Sequence, residues 1–507
     1  MPPVAMEMLK KRNYEVDCLP GLPHEELIQI IGNYDALIIR SGTKVSSSVI
    51  KHGYRLKVIG RAGVGVDNVD ISAATRAGIV VMNVPKGNTI SACEHTWALM
   101  LSLARNIPKA HQALRDGKWD KKSNKGMEIF GKTLGLYGLG KIGSEVARRG
   151  LAFGMRVIAY DPFASEEQAS KLKVKLVEFE DLLANSDIIS IHSPLNEKTK
   201  NVFNSDTFSK MKKSALLVNC ARGGIVHAED LTLALSEGTI RGAAVDVYME
   251  EPVTDSPLFK ADHIVHTPHL GASTLEAEER VSLEISEQVA DYLETGKIIN
   301  AVNAVSEEIP ESLEKLARGL GYLAGALSEG LTKNLIISYK EQIGCTGEVL
   351  MRIILTGYLS TFIEGVNSVN ARILAEDRGV KLIVQSVSSS EERWDLKITL
   401  DNEQTVEGSS AGGISRLTGV NKFTFDIPLR GNLLLIRNTD RPGIIGRIGS
   451  LLGNEGINIA SMEVGRKDEG GEALMAIETD EQVAPELIAG LTKLDGVNYV
   501  KYIMVGQ

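Results

Sequence analysis

The sequence predicts an α/β protein: two doubly wound parallel-sheet lobes, then an α+β domain, then a ferredoxin-like βαββαβ tail. Three observations carry that expectation. At 507 residues, and with roughly 150 residues to a domain, the chain has room for three or four domains. From about Asp35 to Asn300, short apolar runs alternate with amphipathic stretches, the pattern of βα units in a parallel sheet. Beyond Asn303 the texture changes, and the last segment reads strand, helix, strand, strand, helix, strand.

In order along the chain, the strand-like runs are Ala36–Ile39, Lys57–Gly60, Gly78–Val81, Gly135–Tyr137, Arg156–Tyr160, Ile188–Ile191, Ala215–Val218 and His263–Val265. Two longer helical patterns interrupt them. One runs from about Ser91 to Lys109 and suits a segment that carries the chain from one lobe to the other, and the second, Ser273 to Thr295, suits its return. A Gly-rich helical stretch follows near Gly319 to Glu329, and Trp394–Leu400 alternates as a half-exposed strand does. The tail divides into a strand at Leu433–Ile436, a helix at Ile444–Leu452, strands at Ile457–Val464 and Glu472–Ile477, a helix at Pro485–Leu494 and a strand at Tyr499–Val505. Before the first of the strand-like runs the chain opens on a helical pattern near Val4.

Composition narrows the function. With 56 Lys+Arg against 65 Asp+Glu the net charge is −9, and the basic residues form no stripe, which argues against nucleic acid and anionic membrane as partners. No apolar run reaches the 18 or so residues of a membrane helix, and no signal-peptide core is evident near Met1, so a cytoplasmic location is expected. Cys18, Cys93, Cys220 and Cys345 stand far apart, which favours neither a disulfide framework nor a metal site.

Gly138-Leu139-Gly140-Lys141-Ile142-Gly143 follows an apolar strand and opens a helix, the context in which a G-x-G-x-x-G run binds a dinucleotide. Gly138 permits the tight turn, Gly140 lets the pyrophosphate approach the backbone, and Gly143 permits close helix–strand packing. The next strand ends at Asp161, eighteen residues on, where a carboxylate accepts from the ribose hydroxyls and repels an extra phosphate. NAD is therefore the expected cofactor, on a Rossmann-like lobe.

Three polar residues lie just beyond apolar strands, where open α/β sheets place ligands: Arg222, Glu251 and His269. Oxidising a 2-hydroxy acid needs a cation on its carboxylate and a proton acceptor at the C2 hydroxyl, and a carboxylate beside the histidine stabilises the imidazolium and fixes its tautomer. Glu250 competes with Glu251 for the last role, while His95, His263 and His266 are read as structural.

These residues, with Asn219–Val226, Glu250-Glu251-Pro252, Pro268–Ser273 and Arg61–Asp70, resemble the D-isomer-specific 2-hydroxyacid dehydrogenases, and within them the long-form branch that acts on 3-phosphoglycerate. The resemblance implies a substrate-binding domain at 1–84 and 271–302, an NAD-binding domain at 85–270, an intervening regulatory domain at 303–430 and an ACT domain at 431–507. It implies Arg222 as the carboxylate anchor, Glu251 as the histidine's partner and His269 as acid/base. It assigns NAD contacts to Val64, Lys141, Ile142, Asp161, Ser193, Cys220, Ala221, Arg222, Asp246, His269, Leu270, Gly271 and Ala272, and substrate contacts to Arg40, Arg61 and Lys121. The implied reaction is NAD-dependent oxidation of 3-phosphoglycerate on the way to serine. Two alternatives stand beside it: a dehydrogenase for another D-2-hydroxy acid, and an NAD-sensing interaction protein on the same fold.

In the tail, Asn438-Thr439-Asp440-Arg441-Pro442-Gly443 and Gly456-Ile457-Asn458-Ile459 resemble an ACT domain, which implies serine as effector at Asn438, Asp440 and Asn458 and a homo-oligomer, most simply a tetramer. Arg416 and Lys422 are candidates for an acidic effector in the intervening domain, and His227 stands where an acid is common.

Overall fold

The computed structural model describes residues 1–305, 307, 309–388, 394–401, 403–466, 468 and 470–505. It divides into two compact units, Met1–Pro20 with Arg61–Val66 and Asn83–Glu287, and Gly21–Gly60 with Asp67–Met82 and Gln288–Gln507.

Three strands, β1 (Ala36–Ile39), β2 (Val58–Arg61) and β3 (Val80–Asn83), form a sheet in that order. No strand precedes β1 among the described residues; the helix Pro3–Lys11 opens the chain, where the sequence shows a helical pattern near Val4.

The first unit is built on a seven-stranded sheet. Its strands are β4 (Thr133–Tyr137), β5 (Arg156–Tyr160), β6 (Lys175–Leu176), β7 (Ile188–Ile191), β8 (Leu216–Asn219), β9 (Gly242–Val245) and β10 (Ile264–His266), in the order β10-β9-β8-β7-β4-β5-β6. All pairs are parallel. The order reverses beside β4, so the loop after β4 opens into the crevice where such sheets bind ligands. β4, β7, β8 and β9 are buried along their whole length, as strands covered on both faces must be.

Two differences from the sequence reading have plain causes. β9 is Gly-Ala-Ala-Val, with little β-propensity, and is not among the strand-like runs named from the sequence. A Cβ on Gly242 would stand 2.9 Å from His263 O and 3.2 Å from Leu103 Cδ1, so the site admits only a small residue. The single helix expected from Ser91 to Lys109 is two, Thr89–Ala104 and Ile107–Arg115. Asn106 between them adopts φ 52°, left-handed, and Pro108 in the first turn of the second helix has no N–H to continue the ladder.

In the second unit a six-stranded sheet follows: β11 (Asn334–Lys340), β12 (Lys381–Val387), β13 (Leu396–Leu400), β14 (Thr405–Ala411), β15 (Ile414–Val420) and β16 (Phe423–Pro428), ordered β12-β11-β13-β14-β15-β16. The Gly-rich helix is longer than expected, Glu311–Leu327, and packs on the helix Gly347–Ser360. The glycines set that distance: a Cβ on Gly321 would lie 2.1 Å from Ile354 O, and one on Gly357 2.2 Å from Arg318 O. Gly321→Ala is therefore expected to destabilise this unit by about 1–3 kcal/mol, read as a lower denaturant midpoint at unchanged slope.

The last four strands, β17 (Gly431–Thr439), β18 (Ile459–Arg466), β19 (Glu472–Thr479) and β20 (Val497–Val505), form an antiparallel sheet in the order β18-β19-β17-β20, the ferredoxin-like arrangement. One face, with Leu434, Ile436, Met475 and Ile477, is covered by the helices Ile444–Asn454 and Pro485–Thr492. The alternate residues Leu433, Leu435, Leu474, Ala476, Ile503 and Val505 join the core that contains the helix Glu311–Leu327, so this sheet is buried on both faces.

Among the described residues no helix is long and apolar enough to cross a membrane, and no group of His, Cys, Asp or Glu could hold a metal ion.

Candidate active site

Glycine geometry shapes the turn after β4. Gly138 sits at φ 105°, and a Cβ there would stand 2.7 Å from His192 O; a Cβ on Gly143, in the helix Lys141–Ala152, would stand 2.3 Å from Gly138 O. Gly140 faces open space on the surface where a ligand backbone would lie. His192, behind the turn, shares a hydrogen bond of 2.9 Å with Ser190 Oγ, and burial pushes its pKa down to about 4, so it stays neutral. Ser193 Oγ donates to Tyr137 O at 3.3 Å. The cradle thus fits a dinucleotide: two glycines have no room for a side chain, the third leaves the approach open, and amides at the helix N-terminus face outward.

Asp161 lies at the end of β5. Its carboxylate accepts from Leu139 N–H at 2.7 Å and from Phe163 N–H at 2.9 Å, so it is held beside the glycine turn. Replacing it with serine is expected to reduce the preference for NADH over NADPH by about ten- to a hundredfold, the worth of a charge-assisted hydrogen bond. Fluorescence titration with both cofactors checks this. Lys141 Nζ donates to Pro85 O at 3.3 Å, Val64 O accepts from Asn83 Nδ2 at 2.6 Å, and Ile142 packs on the core beneath the sheet.

Two further loops carry the polar candidates. After β8, Asn219 Oδ1 accepts from Ala221 N–H at 3.1 Å and its Nδ2 donates to Arg222 O at 3.0 Å, pinning the turn that presents Arg222. Arg222 itself donates to Ala221 O at 2.7 Å. Cys220 beside it is inert, its thiol pushed up to about 12 by burial.

After β9, Glu251 Oε1 accepts from Tyr248 N–H at 2.9 Å, and Oε2 lies 2.5 Å from His269 Nδ1. Glu251, not Glu250, is thus the histidine's partner. Burial raises the Glu251 pKa, but the hydrogen bonds from His269 and Tyr248 outweigh it and hold the carboxyl below the ordinary glutamate value. An ionised Glu251 only accepts, so Nδ1 carries the proton and Nε2 is the atom available to a substrate.

His269 adopts φ 56°, left-handed for a residue with a side chain. What holds it there is Asp246, fully buried. Its backbone O accepts from His269 N–H at 2.8 Å; its carboxylate accepts from Leu270 N–H at 2.7 Å, Gly271 N–H at 2.9 Å and Thr267 Oγ1 at 2.6 Å. Burial raises its pKa, and these donors with His95 more than reverse the effect, so the group remains a carboxylate. The sequence reading missed Thr267 and set His95 aside. Neither carries a sequence signal of its own: His95 is one of several polar residues on its helix, and Thr267 lies two residues before the candidate histidine.

Of the cations assigned to substrate, Arg61 belongs to the first unit, where its Nη1 donates to Ala62 O at 3.1 Å, and so does exposed Lys121; Arg40 belongs to the second, where its backbone O accepts from Asn68 Nδ2 at 2.9 Å. In the last domain Asn438 is buried and its Oδ1 has no hydrogen-bond partner. The Asp440 carboxylate pairs with Arg466 at 3.2 Å, and Asn458 Nδ2 donates to Asp480 at 2.6 Å. Arg416 pairs with Asp426, and Lys422 lies 3.9 Å from Glu472. His227 lies 3.2 Å from Asp230.

Comparison with known proteins matches this arrangement. Residues 97–271 fit the NAD-binding domain of the D-isomer-specific 2-hydroxyacid dehydrogenases, 312–421 the D-3-phosphoglycerate dehydrogenase intervening domain and 432–496 the ACT domain. The D-3-phosphoglycerate dehydrogenase of Synechocystis sp. is 41% identical over 508 residues, covering 97% of this chain and 91% of that protein. The chain belongs to the D-3-phosphoglycerate dehydrogenases. The Methanocaldococcus jannaschii member of this family is 40% identical over 96% of this chain and 95% of its own length. The solved TT0316 protein from Thermus thermophilus matches with a TM-score of 0.55 and 34% identity, over 59% of this chain and 97% of its own. Membership makes the chain an NAD-dependent oxidoreductase with an ACT domain.

Proposed function

We propose that this protein oxidises 3-phospho-D-glycerate to 3-phosphohydroxypyruvate, the first step of L-serine formation, with Arg222, Glu251 and His269 as its catalytic residues. The observation that carries the reading is the 2.5 Å pair between Glu251 and His269 on loops that leave a parallel sheet one strand apart, next to the loop of Arg222. NAD, when bound in the glycine cradle, supplies the hydride acceptor. His269 Nε2 takes the C2 hydroxyl proton, and Glu251 steadies the imidazolium that results. The Arg222 guanidinium holds the substrate carboxylate and stabilises negative charge growing on the C2 oxygen. Arg40 and Arg61, with Lys121, are the proposed cations for the substrate phosphate and carboxylate. Asp161 holds the adenosine ribose, with Lys141, Ile142, Ser193 and Asp246 to Ala272 around the cofactor.

The tail extends the reading to regulation. Serine is the proposed effector, its ammonium group satisfying Asn438 Oδ1, with Asp440 and Asn458 as further contacts. A homotetramer in the cytoplasm is the proposed state. The test is NADH absorbance with 3-phosphohydroxypyruvate as substrate, with and without serine. Consumption that slows with serine is expected; binding of NADH without consumption would overturn the enzymatic reading.

A further inference from the structure

His95 lies on the helix Thr89–Ala104, far in sequence from the catalytic loops, and its side chain is only 17% exposed. Its Nε2 stands 3.1 Å from Asp246 Oδ1 and 3.1 Å from Thr267 Oγ1. We propose that His95 is a positioning residue for the reaction, acting through Asp246 and Thr267 to hold the loop that presents His269. The inference rests on the reading of His269 as acid/base.

Proton accounting shows what His95 contributes. Asp246 is a carboxylate and only accepts, and Thr267 spends its hydroxyl proton on Asp246 Oδ1 at 2.6 Å. Both groups facing His95 Nε2 are therefore acceptors toward it, so Nε2 carries a hydrogen and donates. The single Nε2 hydrogen of His95 is thus within reach of both Thr267 Oγ1 and Asp246 Oδ1, the latter on a carboxylate with no exposure to water that already accepts from Thr267, Leu270 and Gly271. A buried carboxylate is tolerated only when its lone pairs are satisfied. Here the same carboxylate binds the two amides that follow His269, and its backbone carbonyl binds the His269 amide itself. The left-handed backbone at His269 persists only while those bonds hold it. Removing the His95 donor leaves Asp246 under-satisfied in a dry site, and the loop it grips is the part able to move.

The test compares His95→Phe, which keeps a ring and loses the donor, with His95→Gln, whose amide can donate again. His95→Phe is expected to lower kcat about ten- to a hundredfold, as small misplacements of a reacting group do, with KM values and NADH affinity little changed. His95→Gln is expected to recover most of that loss. A second readout is the rate at which diethylpyrocarbonate modifies His269, mapped by mass spectrometry: it should change in His95→Phe and return toward the parent in His95→Gln. A folded His95→Phe with parent kcat, or a glutamine variant as impaired as the phenylalanine one, overturns the proposal. Should His95→Phe fail to fold, His95→Asn, whose shorter amide stops short of Asp246 and Thr267, is compared with His95→Gln in the same way. His269→Gln separates the two readings. If it keeps its activity, the acid/base role fails; if it is inactive while His95→Phe is unimpaired, only the positioning role fails.

Discussion

Replacing His269 with glutamine is expected to lower kcat about 10²- to 10⁴-fold, the range that a general base contributes, while NADH affinity changes little. Glutamine keeps the length and polarity of the side chain but cannot take a proton at neutral pH. The Glu251 carboxylate, left half-buried, still has Tyr248 N–H as a donor at 2.9 Å, so the loop keeps one of its two anchors. The loss should therefore fall on kcat, and the fluorescence titration with NADH should be close to the parent. A kcat near the parent value would mean that another group takes the C2 proton and that the 2.5 Å pair is structural.

Gly223→Ala is expected to be comparably damaging for a different reason. A Cβ at Gly223 would stand 1.9 Å from Tyr248 C, 2.2 Å from Tyr248 O and 2.4 Å from its Cα. These are backbone atoms, with no rotamer to change, so one catalytic loop must push the other away. Tyr248 N–H holds Glu251, and the displacement passes directly to the partner of His269. A shift of about 1 Å at a reacting group costs roughly a hundredfold in rate, and overpacking adds about 1–3 kcal/mol of lost stability. Gly224→Ala is the control: the nearest atoms to its Cβ would be the ends of Leu195 and Met249 at 3.0–3.2 Å, and those side chains can turn aside. Steady-state kinetics and denaturant curves on the pair give the contrast. Equal rates for the two variants would show that the loops are not in contact as described.

Much of this molecule was legible before any coordinates. The glycine turn, Asp161, Arg222, His269 and the Glu250-Glu251 pair stood out as candidates because each lies just beyond an apolar run, and in a parallel sheet the residue after a strand is at the ligand-binding edge. The βαββαβ order of the tail was legible because short apolar runs there alternate with helical patterns across turn residues. Gly138 of the cofactor turn is likewise local, since only glycine adopts φ 105° there without strain.

Other features were decided by tertiary structure alone. β9 has a sequence that does not favour a strand, and becomes one by pairing with β8 on one side and β10 on the other, where a Cβ on Gly242 would stand 2.9 Å from His263 O. The break at Asn106 depends on a left-handed backbone that many sequences with asparagine never adopt. The choice of Glu251 over Glu250 is a matter of which carboxylate the turn aims at His269. His95, Asp246 and Thr267 come from three separate elements, with up to 172 residues between them, and no periodicity records that they meet. Sequence carries what is local, namely propensity, turn chemistry and strand ends. Which buried carboxylate finds which donor is settled only when the chain packs, because a charge in a dry interior must be satisfied by whatever the fold brings within reach.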